Sequence, residues 1–315
     1  MDVLVFNPIY QERVWGGRGL ETSLQRDLPP DRPIGESWEI VDRPEANSVV
    51  GRGRRQGQTL AELRASDCAA LMGPRWDPAR PFPILVKWLD CRERLSLQVH
   101  PPAEVAPRLG GEPKTESWYV VEATPEAALL AGLRKGVTRE QFEKTLKAGG
   151  DLEALVTRLP SRAGDALFVR SGRLHAIDAG NLILEIQQNS DTTYRVFDWN
   201  RTGLDGQPRQ LHIEESMASI DFEDFEPALL HPEGDAVVLA ESEVFRLRRL
   251  TLPPGGHLDF ESGEQPRILS VVEGSLLCAN GLHFDRGSNL LIPYATAFHA
   301  SCMAETVVLV TDDFV

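Results

Sequence analysis

Arg267-Ile-Leu-Ser-Val-Val-Glu-Gly-Ser-Leu-Leu277, followed by Gly287-Ser-Asn-Leu-Leu-Ile-Pro293, reads as a hairpin and then a strand that starts at a glycine and stops at a proline. Each run is short, rich in aliphatic and β-branched residues, and closed by a turn former, which favours strand over helix. A comparable arrangement lies upstream at Gly164-Asp-Ala-Leu-Phe-Val-Arg-Ser-Gly-Arg-Leu-His175. Two diverged copies of one β motif account for both. Most other periodic segments are also short and punctuated by Gly, Pro or Asp at intervals of about ten residues, the pattern of a sandwich or barrel. The expected fold class is mainly β.

Three stretches read as helices. Thr59-Leu-Ala-Glu62 makes a capping box ahead of Leu63 and Leu71, and Gly73-Pro74 ends that run. Thr138-Arg-Glu-Gln141 is a second box ahead of Phe142 and Leu146, stopping at Gly149-Gly150. Asp151 is placed to cap a short third helix carrying Leu152, Leu155 and Val156 that ends before Pro160. The run from Asp221 to Asp235 is acidic and breaker-rich, a boundary signal. Residues 1–225 are therefore expected to form one domain and residues 226–315 a C-terminal β domain.

A chain of 315 residues suits about two domains and buries enough surface to fold without disulfides. With 42% hydrophobic and 25% charged residues it has the composition of a soluble globular protein. The formal charge of −14 repels polyanions, which argues against nucleic-acid partners, although a local Lys/Arg cluster can still hold a small anion. No apolar run approaches the roughly 18 residues of a membrane span, and the opening Met1-Asp2-Val3 does not start a signal or transit peptide. Cys68, Cys91, Cys278 and Cys302 are scattered and form no CxxC, so a reducing cytoplasm is the expected location.

The chemistry concentrates in a few strands. Leu95-Ser-Leu-Gln-Val-His100 alternates strictly, so Leu95, Leu97 and Val99 share one face and Ser96, Gln98 and His100 the other. Lys114-Thr-Glu-Ser-Trp118 repeats the geometry, with Lys114, Glu116 and Trp118 on one face. Either segment alone also fits an ordinary hydrogen-bonded or charged strand, and His175, after a Ser-Gly turn, could be structural. Together Gln98, His100, Glu116 and His175 offer an amide oxygen, two imidazoles and a carboxylate, a donor set that suits Zn²⁺ and leaves room for water or substrate. In Leu182-Ile-Leu-Glu-Ile-Gln-Gln188, Glu185 and Gln187 share a face, and Arg195 lies on the next extended run; a structural Glu185–Arg195 ion pair is the plain alternative.

These segments resemble type I phosphomannose isomerases of the cupin superfamily. The resemblance runs through Tyr10-Gln-Glu-Arg-Val-Trp-Gly-Gly17, Gly35-Glu-Ser-Trp-Glu-Ile40, Leu85-Val-Lys-Trp-Leu-Asp90, Leu97-Gln-Val-His-Pro101, Lys114-Thr-Glu-Ser-Trp-Tyr119, His175-Ala-Ile177 and Tyr194-Arg-Val-Phe-Asp-Trp199. It implies two cupin-like β-barrels of jelly-roll type with a few short helices, in the short bacterial form. It also implies zinc-dependent interconversion of mannose 6-phosphate and fructose 6-phosphate, a small sugar phosphate being the partner. Gln98, His100, Glu116 and His175 match the family's metal-site positions; Lys114, Glu185 and Arg195 match its polar active-site residues. Two departures stand out: Arg170 occupies a position usually held by Pro, and Pro101-Pro-Ala follows His100 where acidic residues are common.

Two other functions fit parts of the pattern. A cupin dioxygenase using Fe²⁺ would use the same fold, but Gln98 stands where a second strand histidine is expected. A non-catalytic sugar-phosphate-binding protein would not need Lys114, Glu185 and Arg195 together. Arg52, Arg54 and Arg55 in a Gly-rich loop could serve a phosphate or form a solvated turn, and Trp15-Gly-Gly17 could be a binding loop or a turn with a packed Trp. In the C-terminal barrel Phe298 stands where a ligand histidine is expected, and His299, one residue late, should point away from the interior.

Overall fold

A computed structural model of the protein describes residues 1–314. The β segments assemble into four sheets. The chain forms two compact units, one of Met1–Ile9, Ser37–Lys87 and Pro232–Val315, the other of Tyr10–Glu36 and Trp88–His231. The breaker-rich segment at 221–235 lies close to the last crossing, between His231 and Pro232. Three earlier crossings fall inside the strands Ile9–Gly17, Ile34–Ile40 and Ile84–Cys91. Residues 1–9 and 37–87, placed by composition in the larger domain, therefore group with the C-terminal segment.

In the unit that carries the candidate site, the strand order of one sheet ends in Ile84–Cys91, Asn181–Gln188, Glu116–Ala123 and Ala166–Val169. A second sheet runs Tyr194–Phe197, Leu97–Val99, His175–Ile177, Ala128–Leu133, Val156–Pro160. The two are packed face to face: Trp118, Val120, Leu167 and Ile183 of the first share a buried cluster with Leu129, Ala131 and Ile177 of the second. The other unit repeats the scheme, with Leu269, Val271, Leu290, Val308 and Val310 of a five-stranded sheet against Leu258, Phe260, Leu276, Phe298 and Ala300 of a four-stranded one. Burial of these apolar faces is the main force holding each pair of sheets.

Phe298 is 2% exposed inside that second core, whereas His299 lies outside it and pairs with Asp259 at 2.8 Å. A one-residue offset on a strand thus turns the imidazole outward.

The helix at Leu60–Met72 starts as its sequence dictates, with Thr59 accepting from the Glu62 amide and the Glu62 carboxylate accepting from the Thr59 amide. Thr138 caps Arg139–Lys147 through the Gln141 amide. The third expected helix is a single 3₁₀ turn, Glu153–Leu155, although Asp151 does accept from the Ala154 amide. Val156–Pro160 is instead a strand on Ala128–Leu133, because β-branched Val156 and Thr157 find a ladder there that a short isolated helix could not match. Gly19–Leu24 and Ile213–Ser219 are helical without a side-chain cap at Arg18 or His212, so the sequence carries no start signal for either.

Arg170, in place of the usual proline, reaches Asp221 at 2.9 Å and Asp224 at 3.1 Å, and Arg173 holds Asp224 with two bonds of 2.7 and 2.9 Å. This clamp fixes the turn that presents His175. Gly172 at its tip has φ +87°, and its amide donates to the His100 carbonyl at 2.8 Å. Burial raises the pKa of Asp224, but Arg173 and Arg170 outweigh it and hold the carboxyl below its ordinary value. A lowered folded pKa stabilises the fold above the unfolded value, about 3.9, and that contribution is lost as pH falls through the folded one. Urea midpoints measured from pH 6 to pH 2 should fall less steeply below pH ~4 in Asp224→Asn than in the parent, and the variant should be less stable at pH 7 by about 3 kcal/mol.

Candidate metal centre

Leu97–Val99 buries Leu97 and Val99 completely and turns Gln98 to the opposite face. Gln98 lies directly across from His175 on one neighbouring strand and from Arg195 on the other. Residues opposite each other in an antiparallel ladder share a face, so Arg195, Gln98 and His175 form a row across one sheet. On the facing sheet Glu116 lies opposite Gln187, and Trp118 opposite Glu185, giving a second row.

The rows meet at Glu116, which has no exposed surface. His100 Nε2 stands 3.3 Å from Glu116 Oε2, and His175 Nε2 stands 3.6 Å from Glu116 Oε1. One ligand atom each from His100, Glu116 and His175 lies within 4.8 Å of the others. Gln98 Nε2 is 3.3 Å from His175 Nε2, and Lys114 Nζ is 2.6 Å from Glu116 Oε2 and 3.2 Å from His100 Nε2. Glu185 closes the group, accepting from Trp118 Nε1 at 3.0 Å and lying 3.8 Å from Lys114 Nζ.

The backbone sets both tautomers. His100 Nδ1 is 2.9 Å from the Thr192 carbonyl oxygen and His175 Nδ1 is 2.8 Å from that of Arg173. A carbonyl only accepts, so each Nδ1 carries the proton and each Nε2 turns its lone pair toward Glu116. A backbone acceptor behind Nδ1 is the usual support of a metal-ligating imidazole. Burial, reinforced by Lys114, lowers the His100 pKa, and burial with His100 lowers that of His175 to about 3. Both rings are neutral at physiological pH, the state that binds a cation.

Burial opposes ionisation of Glu116, but Lys114 and the two imidazoles hold its pKa well below the ordinary carboxylate value. For Lys114 burial acts downward and is overcome by Glu116 and Glu185, which raise its pKa. Both Glu116 oxygens are sealed from solvent; Oε2 is ion-paired with Lys114 Nζ, while Oε1 has no hydrogen-bond donor among the described residues. Two neutral imidazole Nε2 atoms and a fully buried carboxylate converging in a closed space form a donor set that suits a divalent cation.

Gln98, His100, Lys114, Glu116, His175 and Glu185 are thus gathered in one cluster. Arg195 stands beside it, opposite Gln98, with Nη1 donating to the Gln210 carbonyl at 2.6 Å. The other two motifs have structural duties. Trp15 is buried, and a Cβ on Gly16 would lie 2.3 Å from the Gly35 amide nitrogen, so Trp15-Gly-Gly17 lets two strands meet closely. Arg52, Arg54 and Arg55 have local partners in the other unit: the Phe284 ring, Asp2 and Asp67. Sequence reasoning overlooked the indole of Trp118 as the donor to Glu185, and Asp198, Arg201 and Arg209, whose proximity depends on a loop with no regular period.

Residues 3–131 match the family described as phosphomannose isomerase type I, catalytic domain. The chain is 35% identical over 290 residues to a mannose-6-phosphate isomerase of Streptococcus mutans, covering 90% of this chain and 89% of that one. It is 33% identical over 319 residues to a mannose-6-phosphate isomerase of Bacillus subtilis, covering 97% and 98%. A solved structure of the Bacillus subtilis mannose 6-phosphate isomerase superposes with a TM-score of 0.85 at 27% identity, covering 99% of this chain and 100% of that one. With a paired-sheet fold that matches over nearly its whole length and a buried His-Glu-His cluster inside it, the chain belongs to the type I phosphomannose isomerase family and is an isomerase.

Proposed function

We propose that the protein interconverts mannose 6-phosphate and fructose 6-phosphate at a Zn²⁺ site formed by Gln98, His100, Glu116 and His175. The observation that carries this reading is the fully buried Glu116 carboxylate, with the Nε2 atoms of His100 and His175 standing 3.3 and 3.6 Å from its two oxygens. Gln98 brings its amide to the same place, and a half-turn of that amide exchanges its nitrogen and oxygen ends, offering the oxygen as fourth ligand. When bound, Zn²⁺ supplies Lewis acidity toward the sugar oxygens without redox change. The free thiols of Cys68, Cys91, Cys278 and Cys302 suit a reducing cytoplasm.

Aldose–ketose exchange removes a proton next to a carbonyl and returns one at the neighbouring carbon, through an enediolate. Glu185 and Lys114 are the groups that hold or move that proton. Trp118 fixes Glu185 Oε2, while Lys114 Nζ stands near Glu185 Oε1. Burial of this cluster keeps water from competing for the developing charge. Arg195, one residue across the ladder from Gln98, brings a fixed positive charge to the same face and stabilises the enediolate oxygen.

Chelation should abolish isomerase activity and Zn²⁺ should restore it. His100→Ala and His175→Ala should each lower bound metal, measured by elemental analysis of purified protein; full occupancy in both variants would show that other residues ligate. Oxygen uptake coupled to turnover would instead favour the dioxygenase reading.

Arg195→Ala should keep its metal but lose on the order of 10²-fold or more in kcat, because charge develops only in the transition state. An unchanged kcat would leave Arg195 a structural role only.

A further inference from the structure

Gln187 stands directly across the ladder from Glu116, on the same face, and has no exposed surface. Its Nε2 donates to two backbone oxygens, that of Ser190 at 2.6 Å and that of Gln188 at 2.8 Å. Both partners are carbonyls, which only accept, so the amide cannot turn over without setting oxygen against oxygen. The Oε1 that this orientation leaves is buried and has no hydrogen-bond donor among the described residues. An amide buried at the cost of an unpartnered oxygen must do something that an aliphatic side chain of the same size would not.

The carbonyls that Gln187 holds lie at the start of the loop 189–193, which joins Asn181–Gln188 in one sheet to Tyr194–Phe197 in the other. Two residues past Ser190, the Thr192 carbonyl accepts from His100 Nδ1 at 2.9 Å. The Thr192 amide donates to Ser190 Oγ at 3.2 Å, so the placement of Ser190 is passed on to the residue that supports the imidazole. From its other side the loop meets Glu112, whose amide donates to Thr192 Oγ1 at 3.0 Å and whose carbonyl accepts from Ser190 Oγ at 3.4 Å. The first of these bonds is open to water and the second is long, which weakens both. The bond from Gln187 to Ser190 is short and lies between two buried residues, which makes it the firmer restraint. His175 is supported elsewhere: its Nδ1 meets the Arg173 carbonyl, in the turn that Asp224 clamps.

We infer that Gln187 is a positioning residue for the metal centre: it sets the Ser190–Thr192 segment so that the Thr192 carbonyl keeps the proton of His100 on Nδ1 and leaves Nε2 to the cation. The inference rests on the reading of the cluster as a metal site and adds to it a residue that acts from one sheet on a ligand of the other, through the loop that joins them. The tautomer matters because a neutral imidazole has one ring lone pair to give, and a proton moved to Nε2 removes it from the site. A glutamate in place of Gln187 would bring no N–H to either carbonyl. A methionine would fill the space without holding the loop. Because His175 takes its support from Arg173, loss of the Gln187 amide should affect the two rings unequally.

The test uses the full chain with isotope-labelled histidine, whose nitrogen NMR spectrum in the metal-free state shows which ring nitrogen carries the proton. Zinc affinity is measured beside it, by competition with a chelating dye. Gln187→Met should weaken zinc binding about 10-fold, as loss of a support behind a metal-ligating histidine does. It should turn His100 into a mixture of tautomers, leave the His175 signals as in the parent, and recover most of the kcat at saturating zinc. A merely structural role would lower Tm without separating the two rings. If the methionine variant does not fold, Gln187→Glu, which keeps the length but lacks the N–H, decides on the same two signals. Parental zinc affinity in Gln187→Met, parental His100 signals, or equal changes at both rings would each overturn the assignment. Because the tautomers are read without zinc, failure of the metal reading would appear separately, as a chain that takes up no zinc yet in which Gln187→Met still moves His100.

Discussion

A carboxylate with no exposed surface stands at the point where the two sheets face each other, and the local structure is arranged to keep it ionised. Glu116 cannot reach water, so the cost of burying its charge must be offset by groups placed within a few ångströms. Lys114 does this from the same segment, at 2.6 Å. The two imidazoles converge on it from the opposite sheet, and because the Thr192 and Arg173 carbonyls accept from Nδ1, their Nε2 atoms are left as ligand donors rather than as counter-charges. A shift of one residue in any of these strands would send a ligand into the apolar layer. Register is therefore a chemical requirement here as well as a packing one.

That dependence explains what was legible in the sequence. Period-2 alternation put Gln98 and His100 on one face and Lys114, Glu116 and Trp118 on one face, because a pleated strand leaves no other choice. The cap at Thr59 was readable because its partner, Glu62, is three residues away. Asp151-Leu152 was misread as the start of a helix because a cap and one apolar turn look alike whether the chain coils on or turns into a strand; the ladder that decides the matter comes from Ala128–Leu133, distant in sequence. The division into units was similarly hidden. Strands Ile34–Ile40 and Ile84–Cys91 pass from one unit to the other without a break, and only the acidic stretch at 221–235 leaves a mark in composition.

Arg170 shows how a departure from the usual family residue is absorbed. A proline at that position would stiffen the turn before His175 by fixing φ. Arg170 and Arg173 achieve a comparable restraint from outside, by binding Asp221 and Asp224, while the Gly172 amide closes onto the His100 carbonyl. The cost is a dependence on a carboxylate from another segment, which makes the turn sensitive to acid where a proline would not be. The reach of this clamp also gives the 221–224 segment a task beyond linking: it holds the element that presents a candidate metal ligand.

The charge distribution carries the same logic to the substrate. A net charge of −14 disfavours the approach of any anion at long range, yet the proposed substrate is a phosphate ester. At physiological ionic strength charges farther away than about 8 Å are largely screened, so the few groups lining the site dominate over the total. Many arginines elsewhere, among them Arg13, Arg64 and Arg94, are paired with a neighbouring acid, which removes them from that competition. Arg195, Arg201 and Arg209 keep an excess of positive charge because Asp198 is shared between two of them. An acidic surface and a local group of arginines are compatible: the first limits non-specific binding of polyanions, and the second stands beside the metal cluster, where short-range charge counts most.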